Sequence, residues 1–342
     1  MRVRRRIATL VTLCLTAAGL AVAISLPANA APGDSGDDGE GGSKTLIQQL
    51  ESASRGFSEA SEELAASKKR QLQLATQLKQ LDAQLGPQQA ALDEVVAQTY
   101  RTGRLGPMSA LLTASGSGDF VDRAELLQAV ALKQDRALRD LRTTRDAQAA
   151  AKLGVDREIA AQQRQVTTMA KRKQQAEQAL KAANAGQDAT SPGGSSKSSA
   201  KAGAAPRNSD GSLPSQGCSV DDPTSGGCIT PRMLHAMNEA RSAGFTRYRH
   251  CFREQNSGEH PKGRACDFAA DKDGFGGDAT GASRTYGNNL ANYFISNSSA
   301  LGVLYVIWYR RIWLPSSGWK SYSGAGGDPS SDHTNHVHLS VR

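Results

Sequence analysis

From Leu46 to about Thr99, apolar or small residues recur at alternating steps of four and three. Leu46, Leu50, Ala53, Phe57, Ala60 and Leu64 start the run; after Ser67 and Gln71 it resumes at Leu74, Leu78, Leu81, Leu85, Leu92 and Val95. Most intervening positions are Gln, Lys, Glu or Ser. A sustained 3.5-residue period with a polar remainder predicts a coiled-coil helix. Gly86-Pro87 predicts a kink, because proline lacks the backbone donor and crowds the preceding turn. Residues 101–118 (RTGRLGPMSALLTASGSG) break the pattern. A second helical stretch from about Asp119 to Ala185 carries a looser repeat: Leu127, Leu138, Leu141, Val155, Ile159, Val166, Met169 and Leu180. Two long helices around a short turn predict an all-α antiparallel coiled-coil hairpin over 44–185, with its tip at about 101–118. An arm of about 55 residues reaches about 80 Å. It holds no histidine and no cysteine, so it reads as a spacer or partner-binding arm.

Residues 186–217 are rich in Gly, Ser, Ala and Pro, which predicts a flexible linker. Residues 218–342 then alternate element types. Thr230-Pro231 can cap a helix that ends at Gly244. Arg247 to Phe252 and Arg264 to Ala270 read as strands, Gly287 to Leu301 as a helix, and Val303 to Trp308 as a buried strand. Arg311-Ile312-Trp313 continues the β character, and His336 to Val341 alternates as a last strand. The expectation is a small α+β domain around an antiparallel or mixed sheet.

Composition supports this multidomain division. Of the 17 aromatic residues, only Phe57, Tyr100 and Phe120 precede position 245, and all six histidines lie beyond position 234. The low aromatic fraction is thus an average over an aromatic-poor rod and an aromatic-rich domain. Arg2, Arg4, Arg5 and Arg6, the apolar run Ile7 to Leu26 and Ala28-Asn29-Ala30 read as a secretory signal peptide over 1–30; an uncleaved anchor and a lipoprotein are the weaker readings. Residues 31–43 read as a disordered acidic leader. Cleavage would lower the formal charge from +8 to +4. No basic stripe interleaved with aromatics follows, so a nucleic-acid partner is not expected. Mild positive charge on an exported chain suits an anionic cell wall.

With Cys14 in the signal, Cys218, Cys228, Cys251 and Cys266 remain, an even number that suits two disulfides in an exported domain. Of the three possible pairings, Cys218–Cys228 and Cys251–Cys266 close the shortest loops. A four-cysteine zinc site is the rival reading, disfavoured by the absence of close spacing.

The histidines carry the candidate chemistry. His260 stands seven positions before Asp267 in SGEHPKGRACDF, and His336 and His338 are two apart on a strand, hence on one side. Two imidazoles and a carboxylate are three zinc ligands with a fourth position left for water, the pattern of a catalytic site. Trp308, Trp313 and Trp319 can line a substrate groove or simply fill a core. Arg310 and Arg311 can meet a substrate carboxylate or sit at a solvated edge.

Two resemblances follow from these residues. Tyr100-Arg101-Thr102-Gly103, Leu105 to Leu112 and Gly118 to Arg123 look like the hairpin tip of coiled-coil regions in secreted cell-wall hydrolases of Gram-positive bacteria. Those regions are thought to restrain an attached enzyme or to dock it to a cell-wall or membrane partner. His260, Gly263, Ala265 and Asp267, with His336-Val337-His338, resemble the zinc fold shared by D-alanyl-D-alanine carboxypeptidases, lysostaphin-type endopeptidases and the Hedgehog signalling domain. The whole chain is similar to secreted actinobacterial proteins that join a coil to such a domain. The resemblance implies a Hedgehog/DD-peptidase-like α+β domain at 218–342, with His260, Asp267 and His338 as zinc ligands and His336 as the unligated partner near the reacting oxygen. The carboxypeptidases' glutamate, three residues before the last ligand, is here Asn335. Hedgehog-like members carry a glutamate six before it, where Asp332 stands, and murein endopeptidases a histidine five before it, where His333 stands; the resemblance thus implies a general base, with His333, beside His336, preferred and Asp332 the second choice. The serine usual two before the first ligand is here Gly258.

The resulting expectation is a secreted, cell-wall-associated zinc metallopeptidase acting on peptidoglycan peptides, in which zinc-activated water attacks an amide bond. The alternative is a catalytically inactive, zinc-stabilised binding or regulatory module.

Overall fold

The computed structural model describes residues 43–103, 106–184, 200–322 and 327–342. The signal peptide and most of the acidic leader read above lie outside the described residues, as do 185–199 of the predicted linker.

Two long helices, α1 (Lys44–Thr102) and α3 (Ser117–Ala183), flank a short α2 (Gly106–Leu112). Ser43 caps α1 by accepting a hydrogen bond from the Leu46 amide at 3.2 Å. The Gly86-Pro87 pair does not interrupt α1, which runs on through Pro87. The two long helices pack against each other. Their contacts fall in number on one as they rise on the other: Gly56 lies under Arg172 and Gly154 under Leu74, Ser67 bonds Glu158 at 2.7 Å, and Gln89 meets Arg145 at 2.8 Å. Most of the buried apolar positions lie at the base of the arm, Leu46, Leu50, Ala53 and Ala60 on α1 with Ala176 and Leu180 on α3, while Leu141 and Ala151 are buried farther out. Farther out Leu72, Tyr100, Met108, Leu112 and Leu126 are exposed. The reason lies in what the base touches.

The described residues of 218–342 form a two-stranded ribbon, a six-stranded sheet and three α-helices. A two-stranded ribbon, β1 (Val220–Asp221) and β2 (Cys228–Ile229), precedes α4 (Pro231–Ser242). Thr230 caps α4 through its hydroxyl, with Pro231 in the first turn where no amide is needed. Then come β3 (Arg249–His250), a 3-10 turn (His260–Lys262), β4 (Ala265–Ala269), α5 (Gly281–Ser296) and α6 (Ser298–Leu301). Strands β5 (Val303–Trp308), β6 (Arg311–Leu314), β7 (Gly318–Ser321) and β8 (His336–Val341) complete the chain. The six-stranded sheet has the order β3-β4-β8-β5-β6-β7, antiparallel throughout. The first of the predicted strands shrinks to β3, and β1, β2 and β7 went unpredicted. Each is too short to show an alternating pattern.

Strand alternation gives the sheet two different faces. On one, Phe268, Val306, Trp308, Val337, Leu339 and Val341 pack on Met233 and Met237 of α4 and Leu290 and Phe294 of α5. Gly287 lets α5 approach, since a Cβ there would fall 2.3 Å from the Trp308 ring. Trp308 is therefore core, with its indole N–H donated to Asn288 at 2.8 Å. Trp313 and Trp319 pack at the edge of the same core. The opposite face carries Tyr305, Ile307, Ile312, Leu314 and Tyr322, and the base of the arm covers it through Leu46, Leu50, Ala53, Ala176 and Leu180. Burying each such leucine contributes roughly 1.5–3 kcal/mol. The 200–217 stretch also lies against the domain. Ala205 is buried and its amide donates to Ala300, while Arg207 bridges Glu62 of α1 and the Ser299 carbonyl.

Cys218–Cys228 and Cys251–Cys266 are disulfide-bonded, which points to an oxidising compartment. Among the described residues no helix is long and apolar enough to cross a membrane.

Candidate metal centre

Strand register assembles the site. Asp267 on β4 lies opposite His338 on β8, and Ala269 lies opposite His336. His336, His338 and Asp267 therefore share one face of the sheet, the face that also carries Tyr305 and Ile307. His260 arrives from the 3-10 turn, whose return into β4 needs Gly263 at φ 66°. A side chain there is excluded twice: the left-handed backbone disfavours it, and a Cβ would lie 2.7 Å from the Ile229 Cα and 2.5 Å from Cys218 Sγ.

His260, Asp267 and His338 are buried and offer ligand atoms within 4.8 Å of one another. His260 Nε2 is 3.3 Å from Asp267 Oδ2 and 3.3 Å from His338 Nδ1, and His338 Nδ1 is 2.9 Å from Asp267 Oδ1. Four ligands on bonds of about 2.0–2.1 Å would stand about 3.3–3.4 Å apart at tetrahedral corners, so the spacing fits a metal ion. The outer contacts fit as well. His260 Nδ1 donates to the Cys251 carbonyl, and His338 Nε2 hydrogen-bonds Ser340 Oγ at 2.8 Å. Each partner holds one ring nitrogen and leaves the other for a metal.

The charges agree. Burial pushes Asp267 up, but the attractions of His260, His336 and Arg253 outweigh it and hold the carboxyl well below its usual range. Arg253 reaches Asp267 Oδ2 at 2.7 Å. Burial pulls His338 down to about 4, against the opposing pull of Asp267. The ligand set is thus one carboxylate with an imidazole kept neutral at neutral pH.

Two further imidazoles stand beside the group. His333 and His336 have ring centroids 4.8 Å apart, and His333 is 5.6 Å from His338. Asn335 points its carbonyl oxygen at His336 Nδ1 at 2.7 Å, because its amide nitrogen is engaged by the Gly276 carbonyl and Ser330. His333 Nδ1 faces the Ser331 carbonyl at 3.1 Å. Both Nε2 atoms are buried without a hydrogen bond among the described residues, and His336 Nε2 lies 3.4 Å from Asp267 Oδ1. Burial, then His336 and His338, hold His333 well below its ordinary value. His333 also sits at φ 51°, a conformation uncommon outside glycine that concentrates at functional sites.

Asp332 is held at one oxygen, and its Oδ1, like the two imidazole Nε2 atoms, is buried without a hydrogen bond among the described residues. Arg310 grips one of its oxygens with Nε at 2.8 Å and Nη2 at 2.7 Å, and Arg311 lies over the Trp319 ring. Four contributions were not read from sequence: those of Arg253, Ser340, Asn335, noted only for the glutamate it replaces, and Tyr305, whose ring stacks on His338 at 5.8 Å. Ser340 had a signal, two positions past His338 on one strand face; Arg253 and Tyr305 meet the site only through the fold. No curated protein and no solved structure matches the chain. Residues 225–337 match the family model described as VldE, C-terminal domain, a span that takes in His260, Asp267, His333 and His336 and ends one residue before His338.

Proposed function

We propose that the 218–342 domain is a zinc-dependent peptidase of the Hedgehog/DD-peptidase-like kind, exported to the cell wall and acting on peptidoglycan peptides. In the same reading, α1 and α3 form an antiparallel hairpin whose exposed apolar tip meets a cell-wall or membrane partner. The observation that supports it most is the pair of buried imidazoles, His333 and His336, whose Nε2 atoms make no hydrogen bond among the described residues, beside a three-residue candidate ligand group. His260, Asp267 and His338 would hold the zinc, which when bound would supply the Lewis acidity that acidifies water and polarises a carbonyl. His333 Nε2 takes the proton of the attacking water as its oxygen bonds the carbonyl carbon. The proton passes to the nitrogen as the C–N bond breaks. In this reading His336 Nε2 meets the developing charge. The grip of Arg310 on Asp332 favours His333 over Asp332 as base.

The test incubates the oxidised full chain, loaded with zinc, with purified peptidoglycan and measures new amine termini. None at full zinc occupancy would refute the peptidase and favour the second reading, a zinc-stabilised binding module. The burial of every ligand speaks for that reading. With cleavage established, His333→Ala is expected to lower kcat about 100-fold, the low end for a general base because His336 stands beside it. Zinc affinity stays unchanged, and Asp332→Ala has the smaller effect. The opposite ranking would make Asp332 the base.

A further inference from the structure

We infer that the base of the helical arm is a positioning element of the metal centre, with Glu51 and Arg55 setting the turn that carries His260. The inference rests on reading His260, Asp267 and His338 as metal ligands.

Glu51 and Arg55 are one turn apart on α1 and address the two residues that bracket His260-Pro261. Glu51 takes Lys262 Nζ at 3.0 Å, and Arg55 Nη2 lies 3.5 Å from Glu259. Lys262 also reaches Glu259 at 3.2 Å, which closes a four-member ion network across the turn. Glu259 is fully buried and the Glu51 side chain is only 12% exposed. Their partners are more open, the Lys262 side chain at 45% and Arg55 at 29%, so the acidic ends of the network are buried while its basic ends reach solvent. His260 thus hangs from a turn held from outside its own domain.

A second ligand is backed by the same element. The Tyr305 ring stacks on His338 and is itself packed among Leu46, Leu50 and Ala53 of α1 and Leu180 of α3. Ser54 Oγ donates to the Leu304 carbonyl, one residue before Tyr305. Asp267, by contrast, is placed by the sheet and by Arg253. Two of the three ligands therefore depend on the arm, and loss of outer partners of metal ligands typically lowers metal affinity about 10–100-fold.

The experiment uses the oxidised full chain and measures Zn²⁺ affinity by competition with a chromogenic chelator, and the Co²⁺ absorption spectrum as a report on ligand geometry. Glu51→Ala with Arg55→Ala is expected to weaken Zn²⁺ about 10–100-fold and to alter the Co²⁺ spectrum. Glu51→Gln, which keeps an acceptor for Lys262, is expected to stay within about threefold of the parent. Glu62→Ala is the control for docking alone: Glu62 ties the arm to Arg342 at 2.8 Å but touches neither flank of His260. It is expected to leave affinity and spectrum unchanged. Should the double variant fail to fold, Arg55→Ala alone is read against Glu62→Ala. Unchanged affinity and spectrum in the Glu51 and Arg55 variants overturn the inference while the metal site stands. So does an equal loss in Glu62→Ala, which reduces the arm to a docking surface. Failure of the parent chain to bind either ion overturns the metal reading and this inference together.

Discussion

His338→Ala is expected to bind Zn²⁺ roughly 100–1000-fold more weakly than the parent chain and to lose any zinc-dependent cleavage. The magnitude follows from sharing about 10–16 kcal/mol of zinc binding among four ligands, or about 3 kcal/mol each. His338 supports the centre in three ways. Its Nδ1 is a candidate ligand atom, its ring stacks on Tyr305, and it sits in the middle of the sheet between β4 and β5. Alanine there also opens a cavity beside Ile307 and Tyr305, so the metal-free fold is weakened too. Isothermal titration with Zn²⁺, run beside denaturant unfolding in chelator, separates the two effects. A ligand role requires the affinity loss to exceed the loss of metal-free stability. Equal losses would mean His338 is merely packed. In the parent chain, chelation is expected to lower the melting temperature, because an ion bound only by the folded state stabilises it.

Replacing both Cys251 and Cys266 by alanine is expected to cost about 3 kcal/mol of folding stability, the chain-entropy value for a loop of this length, and to weaken zinc as well. The bond closes the 15-residue loop that carries Arg253 and His260. One end supplies the carbonyl that orients His260 Nδ1, and the other adjoins Asp267 on β4. Removing Cys218–Cys228, a 10-residue separation, is expected to lower stability slightly less and to leave zinc affinity within a few fold, since no ligand lies within that loop. Denaturant unfolding with and without Zn²⁺, on both variants, checks the difference. Equal zinc affinities in the two would detach the Cys251–Cys266 loop from the metal centre.

Much of this organisation was legible in the chain. The heptad positions announced the long helices, Thr230-Pro231 announced the start of α4, and the apolar run Val303 to Trp308 announced the central strand. Each rests on local chemistry: periodic burial, a capping hydroxyl, β-branched side chains. The candidate metal group was legible in part: His336 and His338 are two apart on a strand and a short turn joins His260 to Asp267, while the choice of His338 over His336 as ligand came from the family resemblance. The disulfide pairing was legible because it closes the shortest loops.

What local chemistry could not supply was where the pieces meet. The spacing of Leu46, Leu50 and Ala53 says that one helix face is covered but not by what, and much of the cover is a sheet more than 250 residues away. The 200–217 stretch reads as a linker by composition, yet Ala205 and Arg207 hold it against the domain. Asn335 was noticed for the carboxylate it lacks, and its position shows the amide that orients His336. Arg253 and Tyr305 carry no spacing signal, because Arg253 reaches Asp267 from the loop after β3 and Tyr305 reaches His338 from the neighbouring strand β5. The residue types and their periods thus define the elements and the two halves of the donor set, since both depend on neighbours in sequence. The joining of those halves, and the arm laid over the face that carries them, came from the packed fold, because long-range burial selects among many surfaces of similar apolar pattern.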